Sequence, residues 1–322
     1  MTYRQLSEAE RIRISALKQT GMTCPQIAKA LGRNRTTIYR ELKRNHCTDG
    51  RYRVFKAQAR AKRRRRLAIR NLRLSVNDLQ FINAKLAELW SPQQIAGYGR
   101  IHGLLDVSHE TIYRHIQQDR LMGGNLWQFL RTARKLKRKR YGAYDSRGRL
   151  QGKRSIEDRP ADINQRLTLG HWEGDTVMGT TKHCILTLVE RKSGYLIIGK
   201  LTARTVAEVN RVACELLKPI QHLVKSITFD NGTEFHGFKE LEQAIGTTTY
   251  FAHPYHSWER GTNENTNGLI RQMLPKRTTF NALRQGKCNQ IARRINDRPR
   301  LRHNYQSPST VFQQLSQVAL QS

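Results

Sequence analysis

Positive charge is crowded into one half of this chain. Residues 1–160 hold 37 Lys and Arg against 12 Asp and Glu, a net +25, whereas residues 161–322 hold 21 against 13, a net +8. Self-repulsion on that scale opposes a single compact core and implies a polyanionic partner. The full 322 residues carry a formal charge of +33, and their length allows two or three domains. A hydrophobic content of 38% suits several small cores joined by basic linkers better than one large core. Nucleic acid is the expected partner, and a membrane is not. No apolar run approaches the ~18 residues of a spanning helix, and the polar start MTYRQLSEAERIRIS lacks a signal-peptide core. The five cysteines are scattered and form no C-x-x-C pair, as expected of reduced thiols in the cytoplasm. Zinc is not expected at His46-Cys47 or His183-Cys184, where paired ligands at finger spacing are missing.

The N-terminal half reads as helices. Apolar Ile12, Ile14 and Leu17 predict a helix over residues 7–17, stopped near Gly21. Thr23 can cap a second helix with Pro25 in its first turn, ending at Gly32. A basic helix over residues 35–44 (RTTIYRELKR) follows. A helix, a tight turn and a polar basic helix form the helix-turn-helix pattern, which makes Arg33, Arg35, Thr36, Thr37 and Arg40 candidates for DNA contact. The wording recurs downstream: Cys24-Pro25-Gln26-Ile27-Ala28 against Ser91-Pro92-Gln93-Gln94-Ile95-Ala96, and Thr37-Ile38-Tyr39-Arg40 against Thr111-Ile112-Tyr113-Arg114. The duplication predicts a second three-helix unit over about 77–118, with a longer turn between its last two helices. Like-charge blocks at residues 60–70 (RAKRRRRLAIR) and 131–140 (RTARKLKRKR) read as linkers that gain order on phosphates. The expected division is therefore a first helix-turn-helix domain at 1–46, a basic linker at 47–76, a second helix-turn-helix unit at 77–122, a basic linker at 123–165 and an α/β domain at 166–322.

Within that last domain, residues 172–178, 184–190 and 195–201 read as three strands joined by turns at Gly179 and Ser193-Gly194. A helix is expected over 203–217, a strand over 226–229, a helix over 235–244, a strand over 247–251, and a long helix through Glu264 towards Met273. A meander followed by alternating helix and strand indicates a mixed α/β sheet.

Acidic residues are scarce here, so their positions carry information. Asp175 lies in the first strand, Asp230 directly follows the fourth, and Glu264 sits on the late helix. Carboxylates converging at a sheet edge repel unless cations join them. Mg²⁺ prefers such oxygen donors, and two ions can clamp an in-line phosphoryl transfer. Other residues compete for each role: Glu173 shares a strand face with Asp175, Glu234 trails Asp230 by one turn, and Glu259 precedes Glu264. Asp175 is nearer the strand exit. Glu264 has Asn267 and Arg271 at i+3 and i+7 on its own face, an arrangement suited to holding a metal and touching a DNA backbone. His253 and His256, in His253-Pro254-Tyr255-His256, suit either a phosphate contact or a loop-holding role.

The strings His171-Trp172-Glu173-Gly174-Asp175, Thr228-Phe229-Asp230-Asn231-Gly232-Thr233-Glu234-Phe235 and, above all, the run from Trp258 to Gln272 (WERGTNENTNGLIRQ) resemble the IS-thirty family of bacterial insertion-sequence transposases. The match extends over nearly the whole chain. The resemblance implies a DDE enzyme with N-terminal all-α helix-turn-helix units and an α/β ribonuclease-H-like, integrase-like catalytic domain. It implies Asp175, Asp230 and Glu264 as the metal-binding catalytic triad, two Mg²⁺ ions with Mn²⁺ as a substitute, and Arg271 as the basic residue that follows the Glu on DNA. It further implies recognition of terminal inverted repeats, cleavage exposing a 3′ hydroxyl, strand transfer into target double-stranded DNA, at least a homodimer at synapsis, and a cytoplasmic, nucleoid-associated location. The segment Asn296-Asp297-Arg298-Pro299-Arg300 resembles the family's closing Arg-Pro-Arg. Two departures stand out: Leu301-Arg302 interrupts the usual Lys-rich continuation, and Arg277 replaces a Gly common after Pro275-Lys276. The competing functions are a non-catalytic DNA-binding repressor of its own element and a metal-dependent nuclease that hydrolyses without joining.

Overall fold

The computed structural model describes residues 5–69, 74–131, 152–253 and 256–321. The basic run at 132–140 and residues 141–151 lie outside the described residues. The chain divides into two compact units, 1–74 and 75–322.

In the first unit Ser7 starts α1 (Glu8–Gln19) with a capping box, its Oγ accepting from the Glu10 N–H at 3.2 Å and its own N–H donating to Glu10 Oε2 at 2.6 Å. At the start of α2 (Cys24–Ala30) the Thr23 N–H and hydroxyl both donate to Gln26 Oε1 at 2.9 Å, and Asn34 caps α3 (Arg35–Asn45) by accepting from the Thr36 N–H. Leu6, Ile14, Ile27, Ala28, Ile38 and Leu42 close the core between these helices. A buried ion pair, Arg11 Nε to Glu41 Oε1 at 2.7 Å, is completed by the Tyr52 hydroxyl, which donates to the same oxygen at 3.1 Å.

The region 47–76, expected as a basic linker, instead carries a helix, α4 (Val54–Ile69), that is part of this unit. Ala57 and Ala61, four residues apart, are buried and let it lie close to its neighbours. Its arginines have local partners: Arg60 Nη1 donates to the Asn45 and His46 carbonyls, and Arg64 Nη2 to Asn45 Oδ1. Cations at the C-terminal end of α3 complement its unpaired carbonyls and dipole, and this orders a segment whose charge pattern reads as a free arm.

The second unit begins with three helices, α5 (Val76–Ala87), α6 (Pro92–Ile101) and α7 (His109–Leu121). The duplicated strings do the same work twice. Ser91 and Gln94 form a capping box beside Pro92, as Thr23 and Gln26 do beside Pro25, and Ile95 and Ile112 are as fully buried as Ile27 and Ile38. Seven residues join α6 to α7, against four joining α2 to α3. Contrary to the expected separation by a linker, this bundle is continuous with the sheet domain. Gln94 Nε2 donates to the Pro299 carbonyl, and Arg294 Nη2 to that of Ala87. A methyl group on Gly97 would lie 2.0 Å from the Tyr305 ring, so only glycine admits this approach.

After the short α8 (Ala161–Gln165) come β1 (His171–Met178), β2 (Cys184–Glu190), β3 (Leu196–Leu201), α9 (Val206–Leu217), β4 (Ser226–Phe229), α10 (Phe238–Ile245), β5 (Thr248–Phe251), α11 (Gly261–Met273), α12 (Gln285–Asn296) and α13 (Pro308–Gln321). The sheet order is β3-β2-β1-β4-β5. The first three strands form an antiparallel meander, and β4 and β5 add in parallel. This is the ribonuclease-H-like mixed sheet. Trp172, Leu186, Leu188, Ile227 and Phe229 face α9 and α10. Val177, Ile185, Val189 and Ile198 face α11 and α12 on the other side.

The helix expected at 235–244 begins later, at Phe238, after a separate 3₁₀ turn at Thr233–Phe235. Gly237 separates the two: its carbonyl accepts from Asn210 Nδ2 of α9 at 2.9 Å, which pins the chain there. Arg277 has φ +67°, a left-handed conformation that costs a non-glycine residue roughly 1–2 kcal/mol. No helix of the described residues is long and apolar enough to cross a membrane.

His171 opens β1 buried, its ring bonded to Ser226 Oγ at 2.8 Å and Thr168 Oγ1 at 3.0 Å. Burial pushes its pKa down to about 4, with Lys225, Arg191 and Arg159 acting in the same direction against Asp162. The unfolded chain therefore binds a proton at this site that the folded chain refuses. The contribution is intact above about pH 6.5 and is lost as pH falls from there towards 4, on the order of 3 kcal/mol in full. Urea unfolding of wild type and His171→Asn at pH 7 and pH 4.5 should show the variant losing about 2 kcal/mol less between the two pH values. Equal losses would remove His171 as the cause.

Candidate active site

β1 and β4 run parallel with His171 opposite Ser226, Trp172 opposite Ile227 and Glu173 opposite Thr228. Continuing that register by two residues on each strand places Asp230 beside Asp175, on the same face. Gly174 between Glu173 and Asp175 is obligatory, because a Cβ there would lie 2.2 Å from the Phe229 ring on the opposite face.

Helix α11 is fixed over this face by amide side chains. The Asn263 N–H donates to Glu173 Oε2 at 2.8 Å, and its Nδ2 to the Glu173 carbonyl at 3.1 Å. Thr187 Oγ1 of β2 lies 3.2 Å from Oδ1 of both Asn263 and Asn267. Asn267 Nδ2 then donates to Asp175 Oδ2 at 2.8 Å. The Thr176 N–H donates to Asp175 Oδ1, and the Gly232 N–H to Asp230 Oδ1. Both aspartates are thereby aimed by backbone and amide donors.

Between them lies a residue not anticipated from the sequence. Arg260, just before α11, places Nη1 3.8 Å from Asp175 Oδ1 and Nη2 3.3 Å from Asp230 Oδ2, while Nη1 also donates to the Gly174 carbonyl at 3.1 Å. One guanidinium thus offsets the repulsion of two adjacent carboxylates. Its position four residues before Glu264 is the signal that could have found it. Burial raises Asp175 to about 6, with Arg260 opposing and Asp230 adding to the shift.

Glu264 is exposed in the first turn of α11. It does not close on the aspartates: among the described residues, the only trio of His, Cys, Asp or Glu with ligand atoms within 4.8 Å of one another is His253, His256 and Glu259. Asp175 and Asp230 meet at Arg260, and Glu264 stands one helical turn away from it.

The competing acids have other partners. Glu173 is fully buried against the Arg191 guanidinium, its other oxygen holding Asn263. Glu234 is buried, with Arg204 Nη2 at 2.6 Å and the Thr176 hydroxyl at 2.7 Å. Glu259 accepts from the rings of both His253 and His256. Arg271 donates to the Met178 carbonyl at 2.8 Å from a half-buried position, which ties α11 to the end of β1. Arg298 is buried under α11, donating to Gln272 Oε1 at 3.0 Å. On α3, Arg35, Thr36 and Arg40 are exposed and Thr37 is half-buried, whereas Arg33 commits Nε to Glu10 at 2.8 Å and holds that carboxyl down at about 2.

The helix-turn-helix domain family matches residues 2–45. Over 314 residues the chain is 37% identical to the transposase for insertion sequence element IS4351 of Bacteroides fragilis, spanning 97% of this chain and 96% of that protein. It is 36% identical over 327 residues to transposase InsI for insertion sequence element IS30A of Escherichia coli (strain K12), spanning 96% of this chain and 82% of that one. The chain belongs to the IS-thirty (IS30) family of insertion-sequence transposases. The catalytic core domain of BIV integrase matches this transposase with a TM-score of 0.37 and 19% identity over 46% of this chain and 96% of that one, too remote to bear on its chemistry. The donor set of the transposase does bear on it. Asp175, Asp230 and Glu264 offer hard carboxylate oxygens, two of them already gathered around a positive charge, and such oxygens suit Mg²⁺.

Proposed function

We propose that this transposase binds the terminal inverted repeats of an insertion sequence, exposes a 3′ hydroxyl at its ends and joins that hydroxyl to target DNA. The observation that carries the reading is the pair Asp175 and Asp230, level on adjacent parallel strands and flanking one guanidinium, with Glu264 one turn along the helix that covers them. Asp175, Asp230 and Glu264 would hold two Mg²⁺ ions, or Mn²⁺ in their place, and these would supply electrophilic activation of the phosphate and stabilisation of the attacking and leaving oxygens. The residues of the chain orient the site. Asn267 and the Thr176 N–H fix the Asp175 carboxylate, Gly232 fixes that of Asp230, and Arg260 keeps the two together. The exposed Glu264 is free to change rotamer on a fast timescale. Synapsis of two ends requires at least a dimer.

A strand-transfer assay on labelled, pre-cleaved element ends, with and without Mg²⁺, tests this directly. Metal-dependent joining is expected. Binding with no metal-dependent nicking or joining would leave the repressor reading, and hydrolysis without joining the nuclease one.

Binding to the ends is assigned to the outer face of α3, where Arg35, Thr36 and Arg40 are exposed and Thr37 is half-buried. Arg40→Ala should weaken binding and reduce the salt slope of log K by about 1, as expected for one lost phosphate contact. Thr37→Ala should cost about 1–3 kcal/mol and relax sequence preference, as expected for a base contact. Fluorescence anisotropy over a salt series reads both, and unchanged affinity and preference in both variants would remove α3 from the interface.

A further inference from the structure

The segment between β5 and α11 brings together two imidazoles and a carboxylate that the phosphoryl-transfer reading does not use. His253 Nδ1 lies 2.9 Å from Glu259 Oε1, and His256 Nδ1 lies 3.1 Å from the same oxygen. The two rings are 5.3 Å apart and inclined by 54°. All three ligand atoms fall within 4.8 Å of one another. We propose that His253, His256 and Glu259 form a zinc site, separate from the acidic residues of the sheet edge.

Three features support it. The first is spacing. With Zn–N and Zn–O bonds near 2.0–2.1 Å, neighbouring ligands of a tetrahedral ion are about 3.3 Å apart. Both His–Glu259 separations are within a few tenths of an ångström of that edge and the third lies within 4.8 Å, so side-chain adjustment that draws the two imidazoles together admits the ion. The second is support around the ligands. Glu259 Oε2 is held by the His253 backbone N–H at 2.8 Å, and Glu157 Oε1 stands 3.4 Å from His253 Nε2, the ring nitrogen facing away from the cluster. A carboxylate on the far nitrogen of a ligating histidine fixes its tautomer and raises its basicity, the usual outer partner of zinc-bound imidazole.

The third is selectivity. Imidazole nitrogens favour zinc over magnesium, whereas the Asp175, Asp230 and Glu264 oxygens favour magnesium. The chain therefore separates the two ions by ligand chemistry. Three protein ligands leave a fourth position for water or a ligand oxygen. Glu259 immediately precedes Arg260, so an ion held here would clamp the entry to α11, which carries Glu264.

The test uses full-length, untagged protein stripped with a chelator, then dialysed into excess Mg²⁺ and titrated with Zn²⁺ by calorimetry. One Zn²⁺ per chain is expected to bind despite the Mg²⁺. Affinity should fall at least about tenfold in His253→Ala and in His256→Ala and stay unchanged in Asp230→Asn. Absence of stoichiometric zinc binding in the wild type, its survival in both histidine variants, or its loss in Asp230→Asn would each overturn the site. Should the histidine variants fail to fold by circular dichroism, Co²⁺ added to wild type decides: an intense four-coordinate visible band supports the site, and a pale six-coordinate spectrum refutes it. None of these readouts depends on strand transfer, so the two readings stand or fall separately.

Discussion

Glu264→Gln, Asp175→Asn and Asp230→Asn are each expected to lower Mg²⁺-dependent strand transfer of a labelled end by at least about 10³-fold, with end binding changed less than about twofold. The substitutions are nearly isosteric and remove charge without volume, so any effect reports on the carboxylate. Asp175→Asn and Asp230→Asn leave the donors from Thr176, Asn267 and Gly232 in place, together with Arg260. Glu264 has no structural task in the geometry described, being exposed at the start of α11. Its loss should leave the thermal melt unmoved while joining disappears. That split between activity and stability separates a catalytic Glu264 from a helix-surface residue. A Glu264→Gln protein that still transfers strands at wild-type rate would exclude Glu264 from the triad.

Glu173, two residues from Asp175, should behave in the opposite way. Glu173→Ala leaves the buried Arg191 guanidinium without its counter-charge and the Asn263 N–H without its acceptor. Nε of Arg191 already has no hydrogen-bond partner, so nothing on that side compensates. Breaking one half of a buried ion pair costs about 3–5 kcal/mol. Urea unfolding of the sheet unit should register that loss, and joining by the fraction still folded should be reduced far less than in Asp175→Asn. A stability change below about 1 kcal/mol would mean that the pair is solvated or replaceable.

These two results separate what periodicity and motif can tell from what they cannot. Alternation along β1 puts Glu173 and Asp175 on one face but does not say which is buried against a cation. Arg191, the first residue of the β2–β3 turn, settles that by reaching across to Glu173. Arg260 was legible in principle, at i−4 from Glu264, yet its bridging role depends on the parallel β1–β4 register that brings Asp230 level with Asp175. The same limit explains α4. A run of arginines predicts repulsion, and the carbonyls at the end of α3 that offset it are supplied by a different part of the chain.

The sequence by itself determined the strands and most of the helices, because alternation, helical spacing, caps and glycines act over a few residues. Strands at 184–190 and 226–229 fall where the pattern put them, and the related strings Pro25-Gln26-Ile27 and Pro92-Gln93-Gln94-Ile95 build the same capped helix twice. It also determined the family, through long specific strings. Only the tertiary structure decided which acids are spent on ion pairs, that the second three-helix bundle is continuous with the sheet domain, and that two histidines and a glutamate share one corner. Those outcomes depend on contacts between residues far apart in the chain, where desolvation and pairing of charge outweigh any local preference.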